Sequence, residues 1–566
     1  MLQVVLILAI FIALIAVVGK YLYKIAVEQH TIFDNVFDKL DGGIYKICHI
    51  DKTSMGWKQY AKSLIITNAV IVIITFIILK LQGILFLNPN QIDGMESSLS
   101  FNTVISFMTN TNLQHYAGES GLSYFSQMTV IIFMMFTSAA TGYAAAMAFA
   151  RGIVGRDKGL GNFYVDFVRI ITRVLLPLSI IVGIVLISQG VPQTLESNIT
   201  AQTIEGKFQD IAMGPIASLE SIKHLGTNGG GFLGANSSTP FENPNVWTNM
   251  IEMLSMMLLP GSCVIAFGHM ISHRNKDNHK KTSKEMRPIF IVMLILFLVG
   301  LGACTYFELK GNPVISQMGF GEQYGNMEGK EARFGIVQSA LFTTVTTAFT
   351  TGSVNNMHDS LTPLGGAVPL MNMMLNVVFG GKGVGLMNML LYVILTVFIC
   401  GLMIGRTPEY LGKKIEGKEM KLTALGIIIH PLLILSFSAL AVVVPAGLNG
   451  ISNGGYHGLS QILYEYASSA ANNGSGFEGL ADNNYFWNIT TGVVMFFGRY
   501  LAMIIQLALA GSLLNKPVMA ESVGTLKTGN ATFTIALLMI VIVFVALTFF
   551  PVMALGPIAE HLTLLR

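Results

Sequence analysis

Apolar runs long enough to cross a bilayer recur ten times along the chain, roughly at 2–24, 62–84, 124–150, 168–190, 246–272, 288–310, 366–404, 421–445, 484–514 and 530–556. A helix needs about 20 such residues to span the hydrocarbon core. The connections alternate in kind. Some are short and charged, and others are long, mildly apolar and poor in charge. The pattern predicts an all-α integral membrane protein of ten transmembrane helices, because only structures that satisfy their own backbone survive in lipid. The first run reads as a retained anchor: no basic residue precedes it, and Lys20 and Lys24 follow it.

Charge gives the runs a direction. The stretches "HRNKDNHKKTSKEMR" (273–287) and "GRTPEYLGKKIEGKEMK" (405–421) are basic, and Arg151, Arg156 and Lys158 cluster after the third run. By contrast, 85–123 and 446–483 contain no Lys or Arg. The positive-inside rule therefore expects 85–123, 191–245, 311–365 and 446–483 outside, together with both chain ends.

Those outer segments are too long for plain loops. Each holds a short helical stretch, then a polar cluster, then a return to a full span. The first cluster is Asn110, Thr111, Asn112, Leu113 and Gln114, and the second is Thr227, Asn228, Gly229, Gly230 and Gly231. The third is Thr350, Thr351, Gly352, Ser353 and Val354, and the fourth is Asn472, Asn473, Gly474, Ser475 and Gly476. Their central residues, Asn112, Gly229, Gly352 and Gly474, are separated by 117, 123 and 122 residues. Such a period marks a repeated unit. One transmembrane domain over 1–566 with four span–loop–span repeats, near 62–150, 168–272, 288–404 and 421–514, is expected, with the extra helices 2–24 and 530–556 outside the repeat.

A lone TNGGG is usually a flexible turn; four clusters at matched spacing between apolar spans need another reason. Four re-entrant loops can meet around one axis with pseudo-fourfold symmetry. Irregular backbone is tolerated at membrane depth only inside protein or beside water. A monovalent cation stripped of water needs an oxygen cage, which backbone carbonyls supply. Glycine lets successive carbonyls turn to one side. The short helices would aim their negative C-terminal ends at the same point. Asn112 departs from glycine at the centre and predicts an asymmetric first corner.

These strings also carry a resemblance. "NTNLQHYAGE" (110–119), "TNGGGFLGANSSTPFENPN" (227–245), "TTGSVNNMHDSLTPLGG" (350–366), "GRTPEYLGKK" (405–414) and "NNGSGFEGL" (472–480) resemble the potassium-binding (KdpA) subunit family of bacterial potassium-transporting P-type ATPases. The resemblance runs over essentially the whole chain. It implies a subunit in the superfamily of potassium transporters that selects potassium outside and passes it along an internal tunnel to an ATPase partner. The implied partners are a KdpB-type ATPase subunit, a KdpC-type subunit and a small KdpF-type peptide, in a bacterial inner membrane. The four clusters become the K+-binding filter. ATP and Mg2+ belong to the partner, and this chain is expected to carry no catalytic site, no cofactor and no structural metal.

Other features weigh less. With 52% hydrophobic and 11% charged residues, against about 25% charged in soluble domains, the net charge of +3 says nothing about nucleic acid. The four cysteines lack metal or redox spacing. "DKTS" (51–54) resembles a phosphorylation site, yet no connection is long enough for the nucleotide-binding domains that chemistry requires. His269 and His273 have a zinc-like spacing but no third ligand, so they read as interfacial.

Two intramembrane cations matter more, because charges there are costly and usually functional. Arg499 lies mid-span. Lys382 lies in "FGGKGVG", where Gly380, Gly381, Gly383 and Gly385 predict a break over 380–385 and a loop below the filter. Gly381, Lys382, Gly383 and Arg499 are therefore the expected gate or barrier. The competing readings are a self-sufficient channel or cation symporter of the same superfamily, and a secondary transporter with broken helices, which would show inverted half-repeats.

Orientation has its own test. In a cysteine-free background, cysteines at Ser283 and Glu416 should react with an impermeant thiol reagent only from the cytoplasmic side, and one at Glu478 only from outside. The opposite pattern would reverse the charge-based orientation.

Overall fold

The computed structural model describes residues 2–155, 159–274, 283–319, 325–519 and 525–565. Among these, ten helices are long and apolar enough to cross a membrane: Gln3–Ala26, Trp57–Ile84, Tyr124–Val154, Phe163–Ser188, Val246–His273, Lys284–Gln317, Gly381–Met403, Gly417–Val443, Tyr485–Leu514 and Ala531–Leu564. All ten fall on the apolar runs. Arg156, Lys158 and most of the basic 273–287 stretch lie outside the described residues. Arg151, read from sequence as a loop charge, is buried and paired with Asp166, which also accepts from Tyr60 Oη at 2.8 Å.

Between the second and ninth spans the chain repeats one order: span, short helix, span. The short helices are Ser97–Met108, Ile216–Leu225, Gly335–Ala348 and Tyr456–Ala471. In each unit the second span is more buried than the first, with 83 against 22, 78 against 50, 61 against 33 and 56 against 28 per cent of residues buried. The second spans therefore form the inner layer and the first spans the outer one. Tyr124–Val154 shows why it can sit inside: Ala139, Ala140, Ala144, Ala145 and Ala148 are all buried, and small residues let helix backbones approach without lipid between them. The first span packs along Val246–Arg274, where a side chain at Gly261 would meet the Phe11 ring at 2.7 Å.

The seventh span corrects the sequence reading. The apolar run 366–404 is not one helix broken over 380–385. A helix Pro363–Leu375 stops at Asn376, which is left-handed (φ 46°), and regular α-helix resumes only at Val384. Gly385 lies inside the resumed helix. The break thus starts four residues early, at an asparagine, the non-glycine residue that best tolerates this conformation.

Three elements had no apolar signature to find. The amphipathic helix Asp34–Ile47 is tied down by Arg173, whose guanidinium donates to Asp34 (2.9 Å), Asp38 (2.5 Å) and Asp41. Two short antiparallel hairpins, Ile199–Gln202 with Phe208–Ile211 and Glu409–Tyr410 with Lys413–Lys414, complete the described fold.

Candidate functional site

All four short helices end in the same way. The first residue of each polar cluster is left-handed: Asn110 (φ 60°), Thr227 (51°), Thr350 (49°) and Asn472 (55°). Its N–H bonds back three residues, to Phe107, His224, Thr347 and Ser469, and the next N–H bonds back five, to Ser106, Lys223, Thr346 and Ser468. This is the Schellman cap, which satisfies helix C-terminal carbonyls. Glycine usually occupies its left-handed position. Threonine there is costly because it is β-branched, and strain of this kind collects at functional sites.

The caps bring the four clusters into contact. A Cβ on Gly229 would lie 2.6 Å from the Thr111 carbonyl oxygen, 2.9 Å from that of Asn473 and 3.0 Å from the Gly474 Cα. One on Gly352 would strike the Asn473 carbonyl and lie 2.8 Å from the Gly229 Cα, and one on Gly474 would strike the Thr111 carbonyl. Glycine is required here by space, and at Gly352 (φ 96°) and Gly474 (φ 104°) by conformation as well.

Side chains close the ring in sequence. Asn110 Nδ2 donates to the Thr227 carbonyl at 2.8 Å, and the Gln114 amide grips Gly231 at both its N–H (2.8 Å) and its carbonyl (3.1 Å). His224 Nε2 lies 3.0 Å from Ser353 Oγ, joining the second and third clusters. Asn473 Nδ2 donates to the Thr346 carbonyl at 3.0 Å, and Asn472 Nδ2 to Thr111 Oγ1 at 3.0 Å, joining the fourth to the third and to the first.

The asymmetry is not where the sequence placed it. Asn112 is left-handed (φ 59°) like Gly352 and Gly474, whereas in the second cluster the left-handed residue is Gly230 (φ 70°) rather than Gly229. By backbone, the second corner is the odd one. The substitution at Asn112 shows in its side chain instead, since both amide atoms are buried without a protein partner. Asn228 Oδ1 and Thr351 Oγ1 are likewise buried and unpartnered. Buried polar atoms are rarely left so, and acceptors in this state at a site suit a cation or water.

Below the ring lies the break at 376–383. Lys382 is fully buried, and its Nζ donates to the Asn110 carbonyl at 3.0 Å and to the Asn472 carbonyl. Its neighbour Gly381 faces the other two clusters: a Cβ there would lie 2.7 Å from both Thr227 Cβ and the Thr350 carbonyl oxygen. Two consecutive residues thus touch the innermost position of all four clusters. Lys382 does not snorkel. Its backbone is left-handed (φ 48°), and Gly380 N–H bonds to the Ala348 carbonyl at 3.0 Å, tying the break to the third short helix.

Arg499 packs beside Lys382 across Gly142 and donates from Nη2 to the Ser138 carbonyl at 3.2 Å. Among the described residues its Nε and Nη1 have no hydrogen-bond partner and no carboxylate forms an ion pair with it. Arg499 and Asn472 share the wall of a cavity of about 50 Å³ with Asn376, Asn388, Gln506 and His430. One water needs about 10–15 Å³, so this space takes a few waters or an ion. It runs from the inner end of the ring sideways towards Phe544 and Phe549 of the last span.

The remaining candidates are structural. Asp51 caps a turn by accepting from Thr53 N–H at 3.2 Å ahead of the second span, and His269 and His273 pack against the Tyr23 ring, one tilted and one edge-on. Sequence reasoning missed the buried charge clusters around the outer mouth: Lys223 with Glu220 (2.6 Å) and Glu242 (2.8 Å), Lys330 with Glu308 (2.6 Å), and His115 between Glu465 and Asp482. Their only sequence signal was charge inside otherwise apolar short helices, notably Glu220, Lys223 and Glu465.

Known proteins agree along the whole length. Residues 5–562 match the family described as KdpA, potassium-transporting ATPase A subunit. The chain is 58% identical over 564 residues to the potassium-transporting ATPase potassium-binding subunit of Clostridium acetobutylicum, covering 100% of each. Its counterpart in Staphylococcus haemolyticus is 54% identical over 566 residues, covering 99% of this chain and 100% of that one. The Geobacillus kaustophilus subunit is 54% identical over 559 residues, 98% of each. Among solved structures, the potassium transporter TrkH from Vibrio parahaemolyticus aligns with 88% of this chain and 97% of its own at 16% identity and a TM-score of 0.47.

Because Gly352 has neither the room nor the conformation for a side chain, Gly352→Ser should weaken potassium uptake at low external potassium and relax discrimination against rubidium and ammonium. Gly229→Ser should do the same through crowding alone. Ion competition in the assembled protein reads both, and unchanged affinity and selectivity would remove the clusters from ion binding.

Proposed function

The chain belongs to the potassium-transporting ATPase A subunit (KdpA) family, and from that premise we propose that it is the potassium-binding, ion-selecting subunit of an ATP-driven potassium importer. The observation that carries this reading is the closed ring of four left-handed helix caps, with glycines and carbonyl oxygens in mutual contact. The residues proposed to bind potassium are Asn110–Gln114, Thr227–Gly231, Thr350–Val354 and Asn472–Gly476. Carbonyl dipoles at helix C-termini favour a cation and replace its hydration shell. The span–short helix–span order supports four repeats between one extra helix at each end.

Beneath the ring, Gly381, Lys382 and Gly383 act as the barrier to the cytoplasm, with Arg499 behind them. An ion descending from the filter meets an amine already held by the innermost carbonyls. The cavity beside Asn472 and Arg499 is the start of a sideways route to an ATPase subunit of KdpB type. KdpC-type and KdpF-type chains complete the complex, in a bacterial inner membrane with both ends of this chain outside. ATP and Mg2+ are used by the partner, and this chain supplies selectivity. A self-sufficient channel is the weaker reading, because a plugged inner end serves a pump better than a pore.

Expression of this chain with and without its neighbouring subunits tests the function. Potassium-stimulated ATP hydrolysis should appear only in the co-expressed complex, and stimulation without partners, or none with them, would overturn the reading. Deleting Gly381 to Gly383 should give ATP-independent potassium leak in liposomes. A leak-tight, assembled deletion variant would move the barrier to Arg499.

A further inference from the structure

The outer mouth holds a side-chain cluster that ion selection does not use. His115 directly follows the first polar cluster, Glu465 lies on the fourth short helix, and Asp482 lies in the loop beyond the fourth cluster. His115 Nε2 is 3.3 Å from Glu465 Oε1 and 3.8 Å from Asp482 Oδ2, and ligand atoms of all three lie within 4.8 Å of one another. The His115 and Glu465 side chains are closed off from solvent, while Asp482 is 26% exposed and opens the cluster to the outside.

The hydrogen-bond network fixes which imidazole nitrogen faces the carboxylates and in what form. Ser98 Oγ–H donates to Glu96 Oε2 at 2.6 Å, so Ser98 Oγ accepts from Asn488 Nδ2 at 3.1 Å. Asn488 must then present Oδ1 to His115 Nδ1, at 2.7 Å, and Nδ1 carries the proton. Asn102 Nδ2 donates to the main-chain carbonyl of Asn488 at 2.9 Å and anchors the backbone there. Nε2 is therefore aimed at two carboxylate oxygens. A bare lone pair there would face negative charge on both sides, so a positive species must lie between them, either a proton or a metal ion.

The two differ in the distances they favour. A proton shared with a carboxylate draws the heavy atoms to about 2.7–2.9 Å. Two ligands bound at about 2.0–2.1 Å to a tetrahedral ion stand about 3.3–3.4 Å apart. The His115–Glu465 separation of 3.3 Å matches the second case, and Asp482, at 3.8 Å on the open side, would close by about 0.4 Å on binding. Two carboxylates facing one imidazole nitrogen favour a bound cation there. A fixed second-shell acceptor on the other ring nitrogen is the usual companion of a metal-bound histidine.

The similar group Glu220, His224 and Glu252 lacks this character. There the ammonium of Lys223 already sits 2.6 Å from Glu220 and 2.8 Å from Glu242.

We propose that His115, Glu465 and Asp482 form a binding site for a divalent transition-metal ion of the zinc class at the outer mouth. One imidazole and two carboxylates suit zinc and its neighbours, with water in the open fourth position on the Asp482 side, and do not suit potassium, which takes oxygen ligands. Bound metal places two positive charges beside the Gln114–Gly231 contact. Resting on the potassium reading, this site is inhibitory: its occupancy raises the external potassium needed for half-maximal activity.

The test uses the whole complex, purified in detergent and stripped of metal, with Co2+ as the spectroscopic probe and Zn2+ as competitor. One Co2+ per complex should bind with visible absorption that Zn2+ removes. Asp482→Asn and His115→Gln should abolish it, and Asn488→Ala should weaken it about 10–100-fold, as loss of a second-shell partner does. Zn2+ should raise the half-saturating potassium of ATP hydrolysis in the native complex and leave that of Asp482→Asn unmoved. Absence of saturable Co2+ binding, or binding unchanged in both ligand variants, overturns the site. Binding without any shift in half-saturating potassium overturns its inhibitory role. The Co2+ titration needs no transport, so loss of potassium-stimulated hydrolysis in metal-free buffer would count against the potassium reading alone.

Discussion

The structure depends on one constraint: four helices end in the middle of the protein, and their last carbonyl groups have no water to turn to. An unpaired backbone carbonyl in such a place costs about 1–3 kcal/mol. The Schellman cap answers part of this by folding two N–H groups back onto each helix end, and it forces the next residue into the left-handed region. Once that turn is made, the carbonyls of Asn110, Thr111, Asn472 and Asn473 face the centre rather than their own helices. The same geometry that ends the helices therefore creates a cage of acceptors. A protein cannot supply donors to all of them without closing the path, and a cation is the natural partner for the rest.

Everything around the ring serves to hold four backbones at contact distance. The inner spans are rich in small residues where they meet the break, and Gly142 is the clearest case, with Lys382 and Arg499 filling the space its side chain would take. The clusters are stitched to one another by amide side chains rather than by apolar packing, which fixes register as well as distance. Buried ion pairs such as Lys223–Glu220 and Lys330–Glu308 flank the outer side. Pairs of this kind add little net stability over apolar replacements, but breaking one leaves an uncompensated buried charge at a cost of about 3–5 kcal/mol. Their effect is to make a displaced short helix expensive.

Much of this was legible in the sequence because it is local or periodic. A twenty-residue apolar run announces a span without knowledge of its neighbours, and four polar clusters at one spacing announce a shared centre. What escaped was long-range or conformational. Nothing near Lys382 in sequence reveals that it reaches the carbonyls of Asn110 and Asn472, and nothing near His115 reveals Glu465. The break was placed by its glycines, whereas the chain leaves the helix at Asn376, whose side chain type permits a left-handed turn without announcing one. The helix Asp34–Ile47 was missed for a related reason: Arg173, far along the chain, holds it through three aspartates spaced along one helix face. The backbone asymmetry at Gly230 has no composition signal at all, since Gly229, Gly230 and Gly231 are chemically identical.

In the proposed function, the position of Lys382 is what lets a channel-like ring serve a pump. Its Nζ is held by the Asn110 and Asn472 carbonyls, acceptors that an ion at the inner end of the ring would need. In that reading potassium binds in the outer part of the ring, where the carbonyls are not already taken by Lys382. Binding and onward movement become separate events, because the second requires the 376–383 segment to withdraw the amine from two carbonyls at once. The polar wall of Asn376, Asn388 and Gln506 lies on the side to which that segment is already hydrogen-bonded, through Asn388 Nδ2 to the Asn376 carbonyl at 2.9 Å. In that reading an ion released there meets oxygen and amide groups leading sideways, while the direct line inward would run past Lys382 and Arg499. In the proposed function, selectivity and one-way delivery would thus come from two neighbouring parts of the same backbone.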